Sequence, residues 1–143
     1  MDIFSSFRVS ASALKAHKTR LDTISSNIAN VETTSTPEGG PYKKKSVYFQ
    51  SKPISFKEHM ESNLNSAVQG VEVTKIMEDD EPPRKVYNPS HPDAGEDGYV
   101  SMPNISVVKE MVDLMSATRS YQANVTTIKS AKRMAMKALE IGR

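Results

Sequence analysis

Between Asn104 and Arg143 the chain runs NISVVKEMVDLMSATRSYQANVTTIKSAKRMAMKALEIGR. From Val107 onward, apolar or near-apolar side chains recur at Met111, Leu114, Thr118, Tyr121, Val125, Ile128, Ala135 and Leu139. Apart from a gap at Lys132, these steps alternate three and four residues, which places them along one seam of an α-helix. No proline or glycine interrupts the run before Gly142. At about 1.5 Å per residue such a helix is roughly 57 Å long. A compact domain of this size does not need that length, so the helix is expected to pack against more than its own chain.

A second amphipathic stretch covers Ile3 to Val31. Phe7, Leu14, Leu21 and Ile28 fall seven apart, and Ile3, Ser10, His17, Ile24 and Val31 fill the companion position. This is a heptad pattern weakened by polar residues at Ser10 and His17. Ser10, Ala11, Ser12, Ala13 and Ala16 are small enough to let another helix approach closely. A hairpin of the two helices within one subunit and a pairing between subunits are both compatible with the pattern.

Composition sets the outer bounds. A chain of 143 residues with 37% hydrophobic and 6% aromatic side chains and no tryptophan is poorly supplied for a large conventional core. The net charge of +2 does not by itself call for nucleic acid. Its distribution is uneven: four basic and three acidic residues in Met1–Ser35, eight and eleven in Thr36–Pro103, seven and three in Asn104–Arg143. Segments of opposite sign can help neighbouring subunits dock over short distances. The absence of cysteine excludes disulfides and thiolate chemistry and permits an oxidising location. Asp2 and the broken apolar pattern after it do not read as a cleavable secretory signal. No run approaches the roughly 20 apolar residues of a membrane span.

The middle reads as small, extended and loop-rich. Thr33–Pro37 ends the first helix and Glu38-Gly39-Gly40-Pro41 forms a loop. Tyr42–Phe56, Gly70–Met77 and Lys85–Asn88 favour strands, while Lys57–Gln69 fits a short helix or a loop. Whether Tyr42–Phe56 forms a hairpin with Gly70–Met77 is left open. Asn104 is placed as N-cap of the last helix. The expected fold is thus mainly α, with long N- and C-terminal helices (1–35 and 104–143) packing as an antiparallel coiled-coil-like pair. A small β-rich region, 36–103, lies between them.

Chemistry is hard to find. Lys43-Lys44-Lys45 reads as a solvated face, because no aromatics are interleaved to mark a nucleic-acid surface. Glu78-Asp79-Asp80-Glu81 is stiffened by Pro82 and Pro83 and has no further ligands around it, which favours a solvated turn over a cation site. Asp93–Asn104 lacks the third-position acid and the twelfth-position glutamate of a calcium loop. His17, His59 and His91 lie in separate segments without ligand-spaced partners. The glycosylation sequons at Asn104 and Asn124 are short enough to arise by chance. No catalytic, cofactor or metal residue is expected, and no enzyme. The basic tail of Lys129, Lys132, Arg133, Lys137 and Arg143 is read as helix surface; salt-dependent DNA retention would test the nucleic-acid alternative.

The two ends together carry a resemblance. Ser25-Ser26-Asn27-Ile28-Ala29-Asn30-Val31-Glu32-Thr33 is similar to the N-terminal motif of bacterial flagellar rod and hook axial proteins, and Ser120-Tyr121-Gln122-Ala123-Asn124-Val125 to its C-terminal counterpart. Tyr87–Ala94, Gly98–Val100, Pro103–Ile105, Glu110–Asp113 and the Ala138–Arg143 ending resemble the flagellar basal-body rod proteins, in particular the proximal-rod kind. The short chain fits, since it leaves no room for the large inserted domains of hook and distal rod.

The resemblance implies a structural subunit whose terminal helices polymerise into a helical tube that transmits torque and lets export substrates pass. It implies export without a cleavable signal peptide through the flagellar type III apparatus, and assembly in the periplasm. Implied partners are further copies, other rod proteins, the basal-body ring or export base and the distal rod, with neither nucleic acid nor membrane insertion. Phe7, Leu14, Leu21, Ile24, Ile28, Met111, Leu114, Tyr121, Val125, Ile128 and Leu139 are the expected packing seam. Asn27, Asn30, Gln122 and Asn124 are expected to hydrogen-bond at subunit contacts, against a plain helix-surface and capping role. Leu21→Asp or Val125→Asp should abolish assembly. The alternative is a self-contained helical adaptor or export chaperone of a secretion system.

Overall fold

A computed structural model of the chain describes residues 3–51 and 69–141. Its element order is α1 (Ile3–Ala29), β1 (Lys45–Ser51), β2 (Val71–Glu78), β3 (Arg84–Tyr87), β4 (Tyr99–Met102) and α2 (Val107–Ile141). The fold is two long helices packed together with a two-hairpin antiparallel β region between them in sequence. Of the stretch 57–69, read as a short helix or a loop, residues 57–68 lie outside the described residues, as do residues 52–56 of the expected strand.

Side-chain contacts set the helix direction. Asn27, near the end of α1, bonds to Glu110, near the start of α2, and Arg20 reaches Asp113. The helices therefore run antiparallel, as in the expected fold. Small residues are buried on both: Ser10 and Ala16 on α1, Ala117 and Ala131 on α2. Such side chains let two backbones approach closely, and the buried part of the pair is poor in large apolar groups.

The strand-rich sequences pair locally. In the first hairpin β1 and β2 run from Lys45↔Glu78 to Ser51↔Val71, with a register shift between Tyr48 and Phe49. This answers the open pairing question within one chain. The hairpin lies back along α1. Ser12 Oγ accepts a 3.0 Å hydrogen bond from the Val71 amide, and a Cβ on Gly70 would meet that hydroxyl at 2.8 Å. Only glycine lets the strand approach this closely.

The second hairpin pairs Arg84↔Met102 through Tyr87↔Tyr99. Tyr99–Met102 pairs with the strand expected around Lys85–Asn88, and the Tyr99 ring lies edge-on to Tyr87 at 5.2 Å. Gly98 closes the turn with φ 73°, and a Cβ there would lie 2.9 Å from the Tyr87 ring.

Two local readings change. The last helix begins at Val107, and the Glu110 amide bonds to the Ser106 carbonyl, so Ser106 occupies the cap position expected of Asn104. The Asn104 amide instead donates to Glu81 at 2.7 Å. The lysine run is not simply solvated either. Lys43 lies 3.8 Å from Asp80, Lys44 2.8 Å from Glu110 and Lys45 3.5 Å from Glu78. The hairpin register places lysines and acids, seemingly separate charge runs, side by side.

Buried apolar residues among those described include Ala16, Ile24, Val100, Ile105, Ala117 and Ala131.

Candidate assembly surface

Two features define the surface: a buried polar junction that sets the helices and the hairpin relative to one another, and apolar helix faces that the fold leaves open.

The junction is centred on Asn27, which is 1% exposed. Its amide nitrogen donates to the Lys45 carbonyl at 2.8 Å and to Glu110 Oε2 at 3.1 Å. Its oxygen accepts the Lys45 amide at 2.9 Å and the Tyr42 hydroxyl at 3.1 Å. One side chain thereby reads both backbone groups at the start of β1 and ties them to α2. Glu110, 2% exposed, holds its other oxygen 2.8 Å from Lys44 Nζ, a contact off the hydrogen-bond axis and therefore chiefly ionic. A buried carboxylate needs such compensation, since an unpaired charge away from water costs several kcal/mol, of order 3–5.

The other motif amides have local partners. Asn30 donates to the Ser26 carbonyl at 2.8 Å and accepts the Thr33 hydroxyl at 3.1 Å, closing the end of α1. Asn124 donates to the Ser120 carbonyl within α2 at 2.8 Å. Gln122 is exposed on the same helix.

The seam residues divide three ways. Ile24 is buried; Phe7, Leu14, Leu21, Ile28, Leu114, Tyr121, Val125 and Ile128 are half-buried; Met111 and Leu139 are exposed. The reason lies in helix rotation. On α2 the innermost line runs through Glu110, Ala117 and Ala131, one step round from Met111, Thr118 and Val125. Leu114, Tyr121, Ile128 and Ala135 border it on the side shared with the expected seam. Sequence reading missed Ala117 and Ala131 because apolar size was the criterion; their spacing of two heptads, opposite a small-residue α1, was the available signal.

Part of what remains open on α2 is apolar. Val108, Met111, Val112 and Met115 are 73%, 52%, 56% and 55% exposed, at the i, i+3, i+4, i+7 spacing of a helix stripe. At the other end Met136, Leu139 and Ile141 are 54%, 76% and 85% exposed. With Asn27 set against Glu110, the 24 residues of α1 back to Ile3 match α2 only as far as about Met134 at equal rise per residue. The last turns of α2 extend beyond α1.

His17 sits between the helix and the hairpin, its ring edge-on to Phe49 at 5.7 Å, with Nδ1 buried and unpartnered among the described residues. Burial pulls its pKa below the ordinary 6.5, and the nearby Arg20 cation adds to the shift. Among the described residues no group of three or more His, Asp and Glu is placed to hold a metal, and no helix is long and apolar enough to cross a membrane.

These features define a structural subunit with a slender internal core and open helix faces. Comparison with known proteins agrees. Residues 7–35 match the family model described as flagella basal body rod protein, and residues 96–141 match that described as flagellar basal body rod FlgEFG protein C-terminal. The chain is 49% identical to the flagellar basal-body rod protein FlgC of Bacillus subtilis over 150 residues, covering 100% of both. It is 42% identical to that of Borreliella burgdorferi, covering 99% of this chain and 98% of the relative, and 39% identical to that of Salmonella typhimurium, covering 99% of each. The chain belongs to the flagellar basal-body rod protein family, and within it is similar to the FlgC proteins along its whole length. It is a structural protein of the basal body, not an enzyme.

Proposed function

We propose that the chain is a subunit of the proximal rod, built into a helical tube by its terminal helices and joined there to further copies and other rod proteins. The tube carries torque and leaves a passage for exported substrates. The observation that carries this reading is the apolar side chains left open on α2, Val108, Met111, Val112 and Met115 toward its start and Met136, Leu139 and Ile141 toward its end. Neighbouring helices are the natural cover for such faces. Assembly in the periplasm, after export through the flagellar type III apparatus, fits a cysteine-free chain. On this reading the packing seam from Phe7 to Leu139 serves two purposes. Its half-buried residues join α1 to α2, and its exposed ones, Met111 and Leu139, meet other subunits.

The test is complementation of a strain lacking the gene with Leu139→Asp. At 76% exposure this residue contributes little to the fold, so protein abundance should stay normal while rod assembly and swimming are lost. Normal swimming at normal abundance would overturn the packing role.

A further inference from the structure

The buried junction holds three side chains whose reactivity the packing role leaves unused. Glu110 touches both a primary amine and a carboxamide: its Oε1 lies 2.8 Å from Lys44 Nζ, and its Oε2 accepts the Asn27 amide hydrogen at 3.1 Å. Among the described residues Oε1 accepts no hydrogen bond, so it is open to a proton. The Asn27 carbonyl oxygen is held from two directions, by the Lys45 amide at 2.9 Å and the Tyr42 hydroxyl at 3.1 Å. Two donors on one carbonyl polarise its carbon and stabilise negative charge that develops on the oxygen. Asn27 and Glu110 are almost wholly removed from water, and the Lys44 side chain nearly so. The adjacent lysines differ, since Lys43 and Lys45 pair with the exposed acids Asp80 and Glu78.

We propose that this junction closes covalently: Lys44 and Asn27 condense to an isopeptide bond, with Glu110 carrying the protons. Glu110 takes one proton from the Lys44 ammonium. The lone pair of the resulting amine attacks Asn27 Cγ, and the carbonyl electron pair moves onto Oδ1, between its two donors. Glu110 passes its proton to Nδ2, which it already contacts, and removes a second proton from the attacking nitrogen. The pair on Oδ1 then returns as the Cγ–Nδ2 bond breaks. Ammonia leaves, carrying the second proton away as ammonium, and Glu110 is again a carboxylate. No other reactant is consumed. The three side chains lie up to 83 positions apart in sequence, so they meet only once the chain has folded. Holding nucleophile, base and amide in one buried cluster replaces a collision in solution. The product ties the start of the first hairpin to the end of α1, and it requires no neighbouring subunit.

Intact-mass spectrometry of the full-length chain, both as purified folded monomer and from isolated basal bodies, tests the bond. The expected mass is below that of the sequence by one ammonia, about 17 Da. A digest should yield one branched peptide joining residues 27 and 44. Lys44→Arg keeps a cation beside Glu110 and should restore the full mass with an unchanged circular dichroism spectrum. Glu110→Gln should slow the loss by about tenfold or more. The branched peptide in either preparation supports the bond, and the full sequence mass in both overturns it. Loss of ammonia that persists in Lys44→Arg also overturns it, because Asn27 would then be cyclising on its own backbone.

Discussion

At one end of the helix pair, α1 and α2 are joined by buried polar groups that find hydrogen-bond and ionic partners inside the chain; at the other, α2 carries exposed apolar side chains past the end of its partner. Asn27 is 1% exposed and makes four contacts, whereas Leu139 is 76% exposed. The first arrangement gives directional specificity, since an amide that must satisfy both the carbonyl and the amide of Lys45 admits one orientation of hairpin on helix. The second gives adhesion without a fixed partner inside the subunit. A chain that must hold its own shape and also be completed by neighbours has use for both.

Substitutions at the polar junction should produce the largest losses of subunit stability. Asn27→Ala strands the Lys45 backbone groups and one bond of Glu110, and should cost about 3 kcal/mol, roughly 10 °C in melting temperature. A loss below about 1 kcal/mol in denaturant unfolding would show that the junction is not what joins hairpin to helices. Lys44→Met leaves the Glu110 carboxylate buried with Asn27 as its remaining partner, and about 2 kcal/mol is expected, less than for a fully buried pair because the Lys44 side chain is 18% exposed.

Smaller effects sharpen the contrast. Arg20→Ala removes an ion pair to Asp113 at 3.3 Å whose side chains are 35% and 37% exposed, and should cost about 0.5 kcal/mol, shrinking with added salt. At the open end, Leu139→Asp should change monomer stability by less than about 0.5 kcal/mol while abolishing assembly. A large stability loss there would mean that the tip folds back into its own subunit.

The weakest effect is a pH dependence from His17. Its native pKa lies below the unfolded value of 6.5, so as pH falls through that value the unfolded chain binds the proton first and stability declines until the native imidazole also titrates. His17→Gln should flatten this slope in unfolding curves measured between neutral and mildly acidic pH.

Much of the architecture was legible because helix periodicity is a local property. Alternating steps of three and four from Met111 to Leu139, and sevens from Phe7 to Ile28, announce two long helices whatever they pack against. The hairpin of β1 and β2 was half legible: strand propensity marked Val47–Phe49 and Val71–Val73, but pairing is non-local and required the register. The polar junction was legible only as a motif. Asn27 was expected at subunit contacts, yet its side chain is spent on Lys45, Tyr42 and Glu110 within the chain, residues 15 to 83 positions away.

By itself, the sequence determined the two amphipathic helices, the loop-rich middle and, through residues 7–35 and 96–141, membership of the rod family. Tertiary structure alone decided which line of α2 faces inward. Close approach rewards Ala117 and Ala131 over the larger Met111 and Val125, because the gap between two helices is set by the smallest side chains at their crossing, not the most hydrophobic. That rotation turns Met111 outward and gives the chain the apolar face that its neighbours are proposed to cover.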